Sequence, residues 1–305
     1  MVASWSPVRS LIARASDHIV VLALVAAGLA LIVPSSSVAA RSDLLLAVLV
    51  LLTALTLSPS SLLGLRHRLR ALAALSIGPY FGALAVAWLI SRPFTNPTQD
   101  GILALGLSST EVASVGLVAL AGGDAALVLG ALTGSLITAA ILGPLLAGVL
   151  AATAGHAGSG GLLVRFALVV LLPLAVGLAA RWRFTRIGEY EDVAAGLSSV
   201  TVCALVYAAL SGLDGGNGLL SAALGSLAFL LACGLLALAA TRVSRGLDPA
   251  AVGLATGLRD FAVAAALATQ AFGPRAATVS GLYGVLMLIS GALIATRLRG
   301  RGSAG

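Results

Sequence analysis

The sequence predicts an all-α polytopic membrane protein of ten transmembrane helices, arranged as two inverted five-helix repeats. Three observations predict it. The 305 residues are 59% hydrophobic and only 10% charged, with a mean hydropathy of +1.09, against roughly 45 to 50% apolar and about 25% charged residues in soluble domains. The apolar residues fall into ten runs, and the loops between them alternate between arginine-rich and arginine-poor. The two halves of the chain match each other at a shift of 151 residues. The net charge of +7 would also suit nucleic acid or an anionic surface. However, the basic residues, all of them arginine, sit mainly in short loops, so topology accounts for them and no nucleic-acid partner is expected.

The first run, 19–33, follows Arg9 and Arg14 and ends at Pro34. With the small residues Ser37-Val-Ala-Ala40 behind it, this pattern also fits a secretory signal. The uncleaved reading is preferred, because it makes the topology below consistent. Further runs lie at 43–58, 69–90, 102–121, 125–152, 162–180, 193–210, 219–240, 249–272 and 276–296. Several approach the roughly 20 residues a bilayer requires, and the shorter ones can borrow flanking residues. Pro79, Pro144 and Pro173 lie inside runs, where each removes a backbone donor and is expected to kink its helix.

With both termini cytoplasmic, the inside segments hold Arg9, Arg14, Arg66, Arg68, Arg70, Arg181, Arg183, Arg186, Arg242, Arg245, Arg297, Arg299 and Arg301. The outside segments hold Arg41, Arg92, Arg165 and Arg275. That asymmetry follows the positive-inside rule and supports an even number of spans in a cell membrane. At the shift of 151, Gly106-Leu-Ser-Ser109 falls on Gly257-Leu-Arg-Asp260, Ala125-Ala126 on Ala276-Ala277, and Gly130 on Gly281. Two homologous halves of five spans each, 1–152 and 153–305, must insert in opposite orientations, the plan of many secondary transporters with a site between the repeats.

Two interruptions stand out. Arg259 and Asp260 lie halfway along run 249–272, within Gly253-Leu-Ala-Thr-Gly-Leu-Arg-Asp-Phe261, and Glu111 lies near the midpoint of run 102–121, after Ser108, Ser109 and Thr110. A charge at such a depth costs about 2.5 to 3.5 kcal/mol on insertion scales, so it persists where it faces a partner or a cavity. The glycines and hydroxyls around both interruptions suit backbone that leaves the helical ladder. The serines and Thr110 are also consistent with ordinary hydrogen bonding between helices. Cys203 and Cys233, in separate runs, read as packing residues rather than a disulfide or metal site. His18, His67 and His156 are terminal or in loops, and Asp124 and Asp214 sit at loop edges. With no nucleophile and base pair and no metal-ligand cluster, an enzyme is not expected.

Leu105-Gly-Leu-Ser-Ser-Thr-Glu-Val-Ala-Ser-Val-Gly-Leu-Val-Ala-Leu-Ala-Gly-Gly-Asp124, followed by Thr133, Ser135 and Pro144, resembles the fourth and fifth helices of the bile acid sodium symporter family. Thr256-Gly-Leu-Arg-Asp260, Ala264-Ala-Ala-Leu267, Phe272-Gly-Pro274 and Ser290-Gly-Ala-Leu293 resemble its ninth and tenth. The resemblance implies broken fourth and ninth helices crossing at the midplane, a separate panel domain and alternating access. It also marks departures at the family's sodium ligands. Its glutamate falls on Ala255, its glutamine on Arg259 and its asparagine on Asp260, while Ser114 is kept and the next ligand is replaced by Val115. Sodium is a hard cation that wants several oxygens, so losing a carboxylate and gaining a guanidinium disfavours it.

The expected function is therefore a secondary transporter of a small organic, anionic solute, without strict sodium dependence. A non-transporting membrane sensor on the same fold is the alternative. The substrate and coupling-ion site is expected to draw on Ser108, Ser109, Thr110, Glu111, Ser114, Thr133, Ser135, Thr256, Arg259 and Asp260. No cofactor or metal is implied. The coupling ion would be a proton on Glu111 or Asp260, or residual sodium at Thr133 and Ser135. Arg259 is expected to pair with Glu111 across the crossing, the competing arrangement being a free Arg259 that holds the solute.

Overall fold

A computed structural model describes residues 18–57, 65–153, 161–211 and 217–302. The expectations for Arg9, Arg14, His156 and Asp214 lie outside the described residues. Hydropathy and helix chemistry account for most of the elements. Helices α1 (Ile19–Ile32), α2 (Ser42–Thr56), α3 (Leu69–Ser91), α4 (Thr98–Gly106), α5 (Ala113–Leu120) and α6 (Ala125–Thr153) cover the first half. Next comes α7, made of Leu162–Phe166, a π turn over Ala167–Leu171, and Leu172–Arg183. The rest is α8 (Glu191–Leu210), α9 (Asn217–Val243), α10 (Pro249–Gly257), α11 (Phe261–Ala271) and α12 (Pro274–Gly302).

Among the described residues six helices are long and apolar enough to cross a membrane, and α1, α2 and α11 are shorter apolar helices. The exposed faces agree with lipid contact. On α9 the exposed leucines Leu220, Leu224, Leu227, Leu231, Leu235 and Leu238 recur every three or four residues, which on a helix is one continuous stripe. Ile137, Ile141 and Leu145 make a similar stripe on α6. The chain is a multi-pass membrane protein.

Pro79 and Pro144 lie inside α3 and α6. Pro173 stands just after the π turn of α7. A proline cannot donate to the ladder and crowds the carbonyl one turn back, so a widened turn before it relieves both problems.

The helices sort by packing rather than by chain order. Helices α1, α2, α7 and α8 pack chiefly on one another, while α3 to α6 and α9 to α12 pack around the two breaks. Close approach there depends on glycine. A Cβ on Gly106 would overlap the Cβ of Ala87 on α3, and one on Gly101 would overlap the Ala276 carbonyl and Val279 of α12. These two positions let α4 lie against both neighbours.

Candidate functional site

The apolar runs 102–121 and 249–272 are both interrupted where the sequence places polar residues. Helix α4 ends at Gly106 and α5 begins at Ala113, while α10 ends at Gly257 and α11 begins at Phe261. Leu258 and Asp260 are extended, at φ −107°, ψ 125° and φ −71°, ψ 101°. The two breaks meet as a single antiparallel bridge that pairs Thr110 with Arg259. Glu111 N donates to the Leu258 carbonyl at 3.1 Å, and Asp260 N donates to the Ser109 carbonyl at 2.9 Å. Each break thus supplies the hydrogen bonds the other lost on leaving its helix.

Side chains finish the job. Thr110 N donates to Ser135 Oγ of α6 at 2.8 Å, Thr110 Oγ1 donates to the Ala255 carbonyl at 3.1 Å, and Arg259 N donates to Tyr283 Oη of α12 at 2.9 Å. Asp260 caps α11, its Oδ1 accepting from Ala262 N at 2.9 Å and Val263 N at 3.0 Å. Its Oδ2 accepts from Ser109 Oγ at 3.5 Å. Glu111 Oε1 accepts from Ala113 N at 3.3 Å at the start of α5, and Ser114 Oγ donates to the Glu111 carbonyl at 2.5 Å.

The expected pair between Glu111 and Arg259 is not formed. Nε, Nη1 and Nη2 of Arg259 and Oε2 of Glu111 are all buried without a hydrogen-bond partner. The reason is the extended backbone. Along a strand successive side chains point to opposite faces, and directly opposed residues share a face. Thr110 and Arg259 therefore point to one side of the crossing, while Ser109, Glu111, Leu258 and Asp260 point to the other. Arg259, 0% exposed, extends toward Tyr80, Cys233 and Tyr283 on α3, α9 and α12, with its guanidinium carbon 6.0 Å from the Tyr80 ring centroid. Nor is it hydrogen-bonded to Asp260, although that charge acts on it through space.

Of the remaining expected residues, Ser108 Oγ donates within its own helix to the Leu105 carbonyl. Thr133 Oγ1 donates to the Leu129 carbonyl of its own helix, so no hydrogen bond brings it to the crossing as Ser135 is brought. Thr256 Oγ1 is buried without a partner. Sequence reasoning missed Tyr80 and Tyr283, which flank Arg259. The available signal was a phenol inside an apolar run, where the hydroxyl must find company. A cleft of about 720 Å³ lined by His67, Arg68, Asp124 and Asp248 touches none of the expected site residues.

Two interrupted helices that complete each other's backbone inside a multi-pass membrane protein, with charged residues at their junction, have the architecture of a membrane transporter. The chain belongs to the SBF-like CPA transporter family, whose model matches residues 8–281. This agrees with the resemblance to bile acid sodium symporters. Comparison with curated proteins returns no match.

Proposed function

We propose that this protein is a secondary transporter that moves a small organic anion by alternating access, with Arg259 as the group that holds the anion. One observation carries the reading: a fully buried guanidinium with three nitrogens lacking any acceptor. Burying a cation unpaired is costly, whereas a planar fork of donors matches a carboxylate in two parallel hydrogen bonds. The unpartnered hydroxyls Tyr80 Oη and Thr256 Oγ1 are further donors for such a ligand.

The finer architecture belongs to the same proposal: ten spans as inverted repeats over 1–152 and 153–305, termini cytoplasmic, in a cell membrane. Supporting it, the 151-residue shift carries Thr98–Gly106 onto Pro249–Gly257, which are α4 and α10. It carries Gly122 at φ 76° onto Gly273 at φ 100°. It carries Ser109 onto Asp260, the very residues that oppose each other next to the bridge pair. An antiparallel crossing between equivalent residues is what a two-fold relation between the halves requires.

Sodium is not required in this reading, because Ala255 offers no carboxylate and Arg259 supplies a fixed positive charge. The test is uptake of radiolabelled mono- and dicarboxylates into proteoliposomes in choline medium. Saturable uptake of at least one carboxylate is expected. Binding without any uptake would replace transport by sensing, and a strict requirement for added sodium would contradict the assignment of Arg259.

A further inference from the structure

We infer that Asp43, Arg165 and Gln270 form a releasable latch on the external side, which ties the first turn of α2 to the far end of α11 and must open before the solute site can face that side. The gating half of the inference rests on the transporter reading above, while the latch itself stands on the contacts alone.

The latch joins the two packing groups. Helices α2 and α7 belong with α1 and α8, whereas α11 belongs to the group around the breaks. Asp43 stands in the first turn of α2, Arg165 in the short segment Leu162–Phe166 that opens α7, and Gln270 one residue before the end of α11. In the topology that the arginines support, all three are at the external ends of their spans.

Asp43 serves both groups at once. Its Oδ2 accepts from Arg165 Nε at 2.8 Å and lies 2.6 Å from Arg165 Nη2, within its own group. Its Oδ1 accepts from Gln270 Nε2 at 2.8 Å, across the boundary. The two contacts differ in strength. A guanidinium on a carboxylate is a pair of opposite charges in a fixed fork, whereas the amide brings a single neutral donor. Arg165 therefore fixes the carboxylate on α2 and α7, and Gln270 is the member that lets go.

The amide is also incompletely satisfied. Gln270 Oε1 is buried without a hydrogen-bond partner, although an amide oxygen is an acceptor with two lone pairs. The closed contact thus gains one hydrogen bond and leaves one acceptor dry, and water supplies that acceptor once the groups part. Gain and loss oppose each other, which suits a contact made and broken in every cycle. Water is at hand for the exchange, because the side chains of Asp43 and Arg165 are 22% and 63% exposed.

Beside the latch the groups meet through close packing. A Cβ on Gly281 of α12 would sit 3.0 Å from the Ala209 Cβ and 3.1 Å from Leu210 at the end of α8, and both of those residues are buried. Helix α11 links the latch to the solute site. Its N-cap is Asp260, next to Arg259, and Gln270 is in its last turn. Eleven helical residues make a rod of about 16 Å, so a movement of the crossing against α2 and α7 carries Gln270 with it.

The test is the distance between two spin labels in the full-length protein in lipid nanodiscs, read by pulsed electron resonance without solute. The labels are placed at Leu44→Cys on α2 and Leu220→Cys on α9, exposed positions near the external ends of the two groups. Cys203→Ser removes the half-buried native thiol, and Cys233 is buried. With Asp43 and Gln270 intact, one short distance should dominate. Gln270→Ala and Gln270→Glu, which remove the donor or set a second carboxylate against Asp43, should each shift population to a longer distance, and so should Asp43→Ala. Gln270→Lys, which pairs with Asp43, should keep the short one. An unchanged distribution in every folded latch variant overturns the inference. Failure of both Gln270→Ala and Asp43→Ala to fold overturns it as well, because the contact would then be a structural tie. A second measurement uses a disulfide in Asp43→Cys/Gln270→Cys, whose oxidation should stop carboxylate uptake into proteoliposomes and whose reduction should restore it. Full uptake with the disulfide closed contradicts the gate. Absence of uptake in wild type would count against the transporter reading alone, since the label distances need no transport.

Discussion

Replacing Arg259 with methionine should make the unliganded protein more stable. The substitution removes a charge that the structure leaves without a hydrogen bond, at 0% exposure, and keeps a flexible side chain of similar length among Tyr80, Cys233 and Tyr283. The backbone bond from Arg259 N to Tyr283 Oη survives, since it needs no side chain. Exchanging buried ionic groups for apolar residues of similar volume has stabilised proteins by about 1 to 4 kcal/mol. At roughly 2 °C per kcal/mol for a chain of this size, the melting temperature should rise by about 2 to 8 °C. Glu111→Gln should combine with this effect with far less interaction energy than a broken salt bridge gives, because the two side chains share no hydrogen bond and are linked only through the charge of Asp260. The assay is thermal unfolding of detergent-purified protein followed by intrinsic fluorescence, for wild type, both single variants and the double variant. A loss of about 3 to 5 kcal/mol in Arg259→Met would refute the reasoning, for that is the mark of a broken buried ion pair. A clear interaction energy with Glu111 would restore the salt bridge that the register argument removed.

Asp260→Ala should lower the melting temperature more than Asp260→Asn, because asparagine keeps an oxygen for the two N–H groups at the start of α11, and losing a cap costs about 0.5 to 2 kcal/mol. Equal melting temperatures would mean that the cap contributes nothing. Gly101→Val should abolish or severely reduce folded protein in the membrane, as its Cβ alone would overlap the Ala276 carbonyl. Normal yield in a size-exclusion profile would show that α4 and α12 can separate. Thr110→Val, which removes a hydroxyl bonded to the Ala255 carbonyl at 3.1 Å, should destabilise by about 1 to 3 kcal/mol, as expected for a buried acceptor left unpaired. An unchanged melting curve would show that the crossing does not need this bond.

Much of the fold was legible because it follows from hydropathy. The runs located the helices, and the polar clusters at Ser108 to Glu111 and Gly257 to Asp260 located both breaks within a few residues. What could not be read was the conformation inside the breaks. Shared depth in their runs made Glu111 the natural partner of Arg259. Once the segment is extended, the two-residue alternation turns Arg259 away and brings Glu111 to Asp260's side. Thr133 could not be told apart from Ser135 for a related reason. A threonine in a helix satisfies its hydroxyl on the carbonyl four residues back as readily as across an interface, and here it does so. Tyr80 and Tyr283 come from spans far from either interruption, so only tertiary packing could bring them to Arg259.

The central claim is that Arg259 is the anchor for an anionic solute. The most direct measurement is the melting temperature of wild type, Arg259→Lys and Arg259→Met against a panel of small mono- and dicarboxylates with matched neutral and cationic compounds. A ligand that binds the folded state raises it by mass action, about 2.7 kcal/mol at one hundred times its dissociation constant. The account predicts that at least one carboxylate stabilises wild type, that lysine weakens the effect by losing the planar fork, and that methionine abolishes it. Stabilisation by a cationic or neutral compound alone, or a carboxylate effect of equal size in Arg259→Met, would contradict it.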